Sequence, residues 1–353
     1  MRNRFWMAAT LTTVSAIAQS SVGPRTADGH PDLSGMYDIA TLTPLTRPAF
    51  LGDRMSLTDA EAKTLAQSTA ARNAKLNEPS DPNRPPPPAG GDGSEGPAGN
   101  VGGYNTLWVD SGTGAFKIDG QWRTSIIIDP ANGRLPPMTP GAQKVAAGRG
   151  KMNRPNRGDA WWMDADGVSP GPYDDPELRP TAERCLLGFG VSAGPPALPV
   201  MYNNLKQIVQ TKDQVMILNE MVHDVRVVRL NSKHEPAEIR RWLGDSIGHW
   251  EGDTLVVDTT NFNDQPALSA SRNLHVIERF TRVDSKTLRY KFTVEDPTVW
   301  NKPWTGEMVW PATDARIYEY ACHEGNYSFA GILRGARRLE AEAAAGGKIA
   351  PKK

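Results

Sequence analysis

Short runs that alternate apolar and polar residues dominate the second half of the chain. At 288–295, Leu288, Tyr290, Phe292 and Val294 alternate with Arg289, Lys291, Thr293 and Glu295, so a strand there turns the first four inward and the others to solvent. The runs 207–210, 215–230, 239–243, 254–260, 274–283, 304–310 and 317–322 also read as strands, as do the shorter stretches 105–110 and 121–129. Lys212-Asp213, Glu251-Gly252-Asp253 and Asp284-Ser285-Lys286 suit hairpin turns between them, with Gly252 supplying an unusual backbone angle. Helical patterns between the strands are lacking. The expected fold is mainly β: an antiparallel up-and-down barrel or a strongly curved sheet of about eight strands, lipocalin-like in outline.

The first half reads differently. Thr58 followed by Glu61 forms a capping box ahead of an Ala-rich helix at 58–76 with only a thin apolar stripe. From 79 to 103 Pro and Gly dominate, including four consecutive prolines at 85–88, which reads as a flexible or polyproline linker. The organisation expected is an N-terminal arm at 19–103, a β-rich domain at 104–335 and a flexible tail at 336–353. Residues 1–18 stand apart as an export signal. Arg2 and Arg4 precede an apolar stretch at 5–17, and Ala16-Ile17-Ala18 fits cleavage before Gln19. A periplasmic or secreted destination follows for the mature chain, with no membrane span left after cleavage.

Composition narrows the function classes. The 353 residues are 39% hydrophobic and 23% charged, and 40 Lys+Arg balance 40 Asp+Glu. Such a chain has no overall field to hold nucleic acid or an anionic membrane surface. Its mean hydropathy of −0.49 excludes a polytopic membrane protein. The two cysteines, Cys185 and Cys322, would meet oxidising conditions after export and are expected to pair. The alternative is that Cys322, followed by His323, acts as a nucleophile or metal ligand.

Candidate chemistry sits in the β-rich half. Alternation over 215–227 puts Asn219 and His223 on one face with Val215, Ile217, Met221, Val225 and Val227, and Glu220, Asp224 and Arg226 on the other. His275 and Glu278, three apart on one strand, point to opposite faces, so one of them faces inward. Glu319, Tyr320, His323, Glu324, Asn326 and Tyr327 gather at the end of the last strand, where chain leaving a sheet commonly carries function. The candidate acid–base groups are His223, His275, His323 and Glu324. The candidate ligand contacts are Asn219, Glu278, Glu319, Tyr320, Asn326 and Tyr327. Trp242, Trp250, Trp300, Trp304 and Trp310 serve as core or rim, or stack on a flat ligand. No P-loop, dinucleotide fingerprint, HExxH, EF-hand or nucleophile elbow is present, so no organic cofactor is evident; a divalent metal held by His and carboxylates across strands stays open.

The segments RWLGDS (241–246), WEGDTLVVDTTNFND (250–264), LHVIERF (274–280) and YACHEGNY (320–327) resemble a family of exported bacterial proteins of unassigned function, over nearly all of the mature chain. The resemblance implies export and a β-rich fold. Gly35-Met36-Tyr37 is also similar to the Gly-x-Trp opening of lipocalin-like barrels, with Tyr in place of Trp. The function expected is binding of a small, partly apolar, aromatic or hydroxylated molecule. The rivals are a His/carboxylate acid–base enzyme (lyase, isomerase or hydrolase) and a structural or surface-interaction protein.

Overall fold

Leu288, Tyr290, Phe292 and Val294 are at most 1% exposed in the computed structural model, and they line the concave face of a curled sheet. The structure describes residues 23–78, 83, 109–152, 160–163, 170–188, 192 and 194–346. The export segment 1–18, the linker apart from Asn83, and 105–108 lie outside the described residues.

In chain order the elements are β1 (Gly35–Asp38), β2 (Ser56–Leu57), α1 (Asp59–Leu76), β3 (Lys117–Ile118), β4 (Gln121–Arg123), β5 (Ile127–Asp129) and α2 (Pro140–Met152). Then follow β6 (Leu205–Gln210), β7 (Gln214–Asn219), β8 (Val225–Leu230), β9 (Asp245–Glu251), β10 (Thr254–Thr260), β11 (His275–Asp284), β12 (Thr287–Glu295), β13 (Trp304–Pro311) and α3 (Tyr327–Ala344). Ten strands form one sheet in the order β1-β6-β7-β8-β9-β10-β11-β12-β13-β5, and β2, β4 and β3 form a small second sheet. The large sheet curls into a half-barrel, and its ends approach each other where Tyr37 makes an isolated antiparallel bridge with Ala312. The concave face holds a continuous aromatic core: Tyr37, Phe280, Tyr290, Phe292, Trp304 and Trp310 are each at most 1% exposed.

Local signals account for much of this. Thr58 and Glu61 form the reciprocal capping box, and α1 buries only Ala62, as its thin stripe requires. The hairpins fall at the expected turns, and Gly252 between β9 and β10 has φ +59°, a left-handed angle that glycine adopts without strain.

Four expectations are corrected. The run 215–230 is two strands, because a tight turn at Met221–His223, with Val222 and His223 both at positive φ, reverses the chain. That reversal swaps the alternation: Val225 and Val227 face outward, while Arg226 and Val228 are buried. The run 239–243 is not a strand but part of the crossover from β8 to β9, which lie parallel, so the sheet is not purely up-and-down. The run 317–322 has no regular structure, and it leads to a helix, α3, that carries the expected tail region on to Ala344. Three helices are described, not one.

Cys185 and Cys322 are joined in a disulfide with Cα atoms 5.8 Å apart. The bond ties the loop before β6 to the start of α3, and Asn326 supports it by donating from Nδ2 to the Glu183 carbonyl at 2.7 Å. A second, small core lies beyond, where Trp162 packs on Tyr173 and Ala336 and donates from its indole to Glu340. Among the described residues no helix is long and apolar enough to cross a membrane.

Candidate functional site

Charged side chains sit inside the curl as well as aromatic ones. Arg226 on β8 reaches across the interior to Glu278 on β11 and meets it with both terminal nitrogens, Nη2 donating to Oε1 at 2.9 Å. Tyr290 donates to the same Oε1 at 2.7 Å and accepts from the Ala197 amide at 3.0 Å. Lys206 on β6 is fully buried and donates to the Ser192 carbonyl; burial, with Arg226 nearby and Glu220 working against it, lowers its ammonium to about 7. Burial likewise raises the Tyr290 phenol well above its ordinary value, which keeps the hydroxyl protonated as the donor that Glu278 needs. These groups are enclosed and satisfied, so the concave face is a filled core crossed by a polar knot.

Space for a ligand opens at the wall. β8 and β9 pair in parallel only from Val228 and Ser246 onward, so the first residues of β8 have no partner on that side. Gly244 turns the chain into β9 at φ +71°; a Cβ there would sit 2.6 Å from the Thr260 carbonyl oxygen, so both angle and space require glycine. The gap between the start of β8 and this turn is a cleft of about 560 Å³. Its walls are apolar at Val225, Val227, Trp242 and Leu243, and the first two are 51% and 40% exposed. Its polar lining includes Arg226 and Ser246 from the inner side, and Ser246 pairs with Thr259 at 2.9 Å. From the outer side come Arg229, Glu235, Arg240, Arg241 and Asp245.

Asp245 also begins a ladder of acids and imidazoles across the outer face. It accepts from Arg229 at 2.8 Å and meets His234 Nδ1 at 3.0 Å. His234 Nε2 lies 3.1 Å from Asp258, whose same oxygen is 3.1 Å from His275 Nε2; His275 Nδ1 then lies 3.2 Å from Glu295. Each imidazole therefore bridges two carboxylates. The hydrogen bond to Asp258, reinforced by Glu295 and opposed by burial, raises His275 above its ordinary 6.5. Burial pushes Asp258 up, but the two histidines outweigh it and hold the carboxyl below 3.8.

The pH dependence follows from these directions. Asp258 stabilises the fold above its ordinary value and loses that effect as pH falls through its lowered one. His275 stabilises below its ordinary value and loses that effect as pH rises through its raised one, so the pair is fully formed from about pH 4 to 6.5. His275→Gln is expected to flatten the alkaline fall in stability; unfolding free energies of both proteins from pH 6 to 9 check this, and parallel curves would contradict it. The effect is modest, because the ring is 29% exposed and solvent screens it.

The candidate residues from the sequence fall into three places. Of His275 and Glu278, it is Glu278 that faces inward, into the knot, and Asn219 is buried on the same face. His275 belongs to the outer ladder. His223, Glu319, Tyr320 and Asn326 lie near the disulfide: the last three line a separate cleft of about 530 Å³, and His223 Nδ1 meets the Tyr320 carbonyl at 3.2 Å. His323 and Glu324 are exposed beside that cleft, and Tyr327, the first residue of α3, is 85% exposed. The structure does not bring His223, His275 and His323 to one pocket. Among the described residues no group of three or more His, Cys, Asp or Glu is arranged to hold a metal ion.

Comparison with protein-family models, curated proteins and solved structures returns no match. Sequence reasoning missed Arg226, His234, Asp258, Arg240 and Arg241. The one local hint was the polar pair Glu220 and Asp224, flanking a turn that strand alternation treated as continuous.

Proposed function

We propose that the protein binds a small, partly apolar molecule, aromatic or hydroxylated, in the cleft between the start of β8 and the turn into β9. The observation that carries this reading is the cleft itself: about 560 Å³ of space, with exposed valines at the start of β8 and Trp242 on the crossover facing a convergent set of polar groups. The filled aromatic core argues for a wall site over a ligand enclosed within the curl. Both ring nitrogens of His234 and of His275 are engaged by carboxylates, which favours binding over acid–base catalysis at the ladder. The disulfide and the basic-apolar segment at 1–18 support a place of action outside the cytoplasm, periplasmic or secreted.

Thermal-shift screening of aromatic and hydroxylated compounds is expected to yield stabilising ligands for the wild type. Trp242→Ala should abolish their effect while leaving the melting temperature of the free protein nearly unchanged, since Trp242 is only half-buried. Ligands that stabilise the Trp242→Ala protein equally well, or the absence of any stabilising compound, would refute the assignment.

A further inference from the structure

We infer that the ligand of this cleft is a carboxylate: an organic anion with an aromatic or branched apolar body, held by Arg240 and Arg241. The inference rests on the cleft being a binding site and adds the charge of what it binds.

The argument is one of pairing. Six ionisable side chains line the cleft. Arg226 is matched by Glu278 in the interior. Arg229 is shared between Asp245 at 2.8 Å and Glu235 at 3.6 Å, and Asp245 is bound further by His234 and the Glu235 amide. Both lining carboxylates are therefore already met by donors on the protein. Among the described residues, Arg240 and Arg241 are left with no carboxylate partner.

The two differ in a useful way. Arg240 donates from Nη1 to the carbonyls of Phe262 at 2.8 Å and Arg272 at 2.9 Å, which fixes its guanidinium and leaves other donors for a ligand. Arg241 is exposed, and among the described residues its side chain has no bonded partner. Its backbone is nonetheless anchored, its amide donating to the Asn261 carbonyl at 3.0 Å, so the head group swings from a fixed root. A guanidinium fork matches the two oxygens of a carboxylate, and Trp242, next in sequence, offers a face for the apolar body. An alcohol of the same shape can use one donor but cannot satisfy the surplus charge.

The test uses matched acids and alcohols on the full chain: phenylacetate against 2-phenylethanol, and 2-naphthylacetate against 2-naphthaleneethanol, by calorimetric titration at pH 7. The acids are expected to bind about tenfold or more tighter than their alcohols, a preference that narrows as salt is raised. Arg241→Gln, at an exposed position, should keep the wild-type melting temperature and erase most of the preference. Equal affinities of acid and alcohol, both lost in Trp242→Ala, would overturn the carboxylate assignment and leave the binding cleft standing. No binding of any of the four compounds, or binding unaffected by Trp242→Ala, would overturn both. A preference for acids that survives Arg241→Gln and is insensitive to salt would overturn the role given to the arginines.

Discussion

Glu278→Gln is expected to destabilise the protein by about 3 to 5 kcal/mol, the usual effect of removing one member of a buried ion pair. Arg226 and Glu278 are 3% and 0% exposed at their side chains, so neither can turn to water once its partner is lost. The amide keeps the size of the carboxylate, so the loss is one of charge and hydrogen bonding. Its NH₂ group would face either the Arg226 donors or the Tyr290 hydroxyl, both of which now donate to the carboxylate. A buried guanidinium would remain uncompensated beside Lys206, which burial already pushes toward neutrality. The melting temperature should fall by roughly 10 °C, allowing for the length of the chain. Arg226→Met combined with Glu278→Leu should recover most of the loss, because two apolar side chains of similar volume need no partners. Chemical denaturation of the three variants reads these differences. A Glu278→Gln protein within about 1 kcal/mol of wild type would mean that the interior is wet enough to solvate Arg226.

Loss of the disulfide should have an effect of similar size through a different route. Cys185 and Cys322 close a loop spanning 137 residues, and the chain-entropy account assigns such a closure roughly 4 to 5 kcal/mol, acting chiefly on the unfolded chain. In the folded protein the bond also fixes a segment that has little else to hold it. Residues 314–326 have no regular structure, and α3 buries only Ala336 against the Trp162 and Tyr173 pair. The Cys185→Ser, Cys322→Ser double variant should therefore melt well below wild type, and limited proteolysis should cut it first between β13 and α3. Intact-mass analysis after alkylation, with and without reduction, should find two thiols only in the reduced sample. Two alkylated cysteines in unreduced native protein, or a double variant with unchanged melting, would contradict this.

How much of the molecule was legible beforehand depends on the range of the interactions involved. Strands β10, β11, β12 and β13 were readable within a residue or so at each end, because alternation over seven to ten residues is a local consequence of one face meeting a core. The capping box at Thr58 and the hairpin at Gly252 were readable for the same reason: each is decided by side chains a few residues apart. The failures share the opposite property. Val222 and His223 adopt left-handed angles, the first of them one that a β-branched residue avoids, so strand alternation gives no warning of the turn; once the chain reverses there, every later parity assignment in 215–230 is inverted. Arg226 was therefore placed on the face opposite Asn219, whereas it shares the inner face with Glu278, its partner 52 residues away on a strand three places across the sheet. The parallel pairing of β8 and β9, which opens the cleft, is likewise a long-range outcome. Of the candidate histidines only His275 lies on a strand, His223 sitting in the turn before β8 and His323 in the irregular chain before α3, and the pairing of His275 with Asp258 and Glu295 needed the register between three strands.

The most direct test of the binding cleft is a crystal structure of the protein with the compound that stabilises it most in solution. The expected electron density lies between Trp242 and the first residues of β8, with a polar group of the compound within hydrogen-bonding distance of Arg240, Arg241 or Ser246. Density in the cleft formed by Tyr320 and Asn326, or beside α2, with the space between Val225 and Trp242 holding only water, would contradict the account.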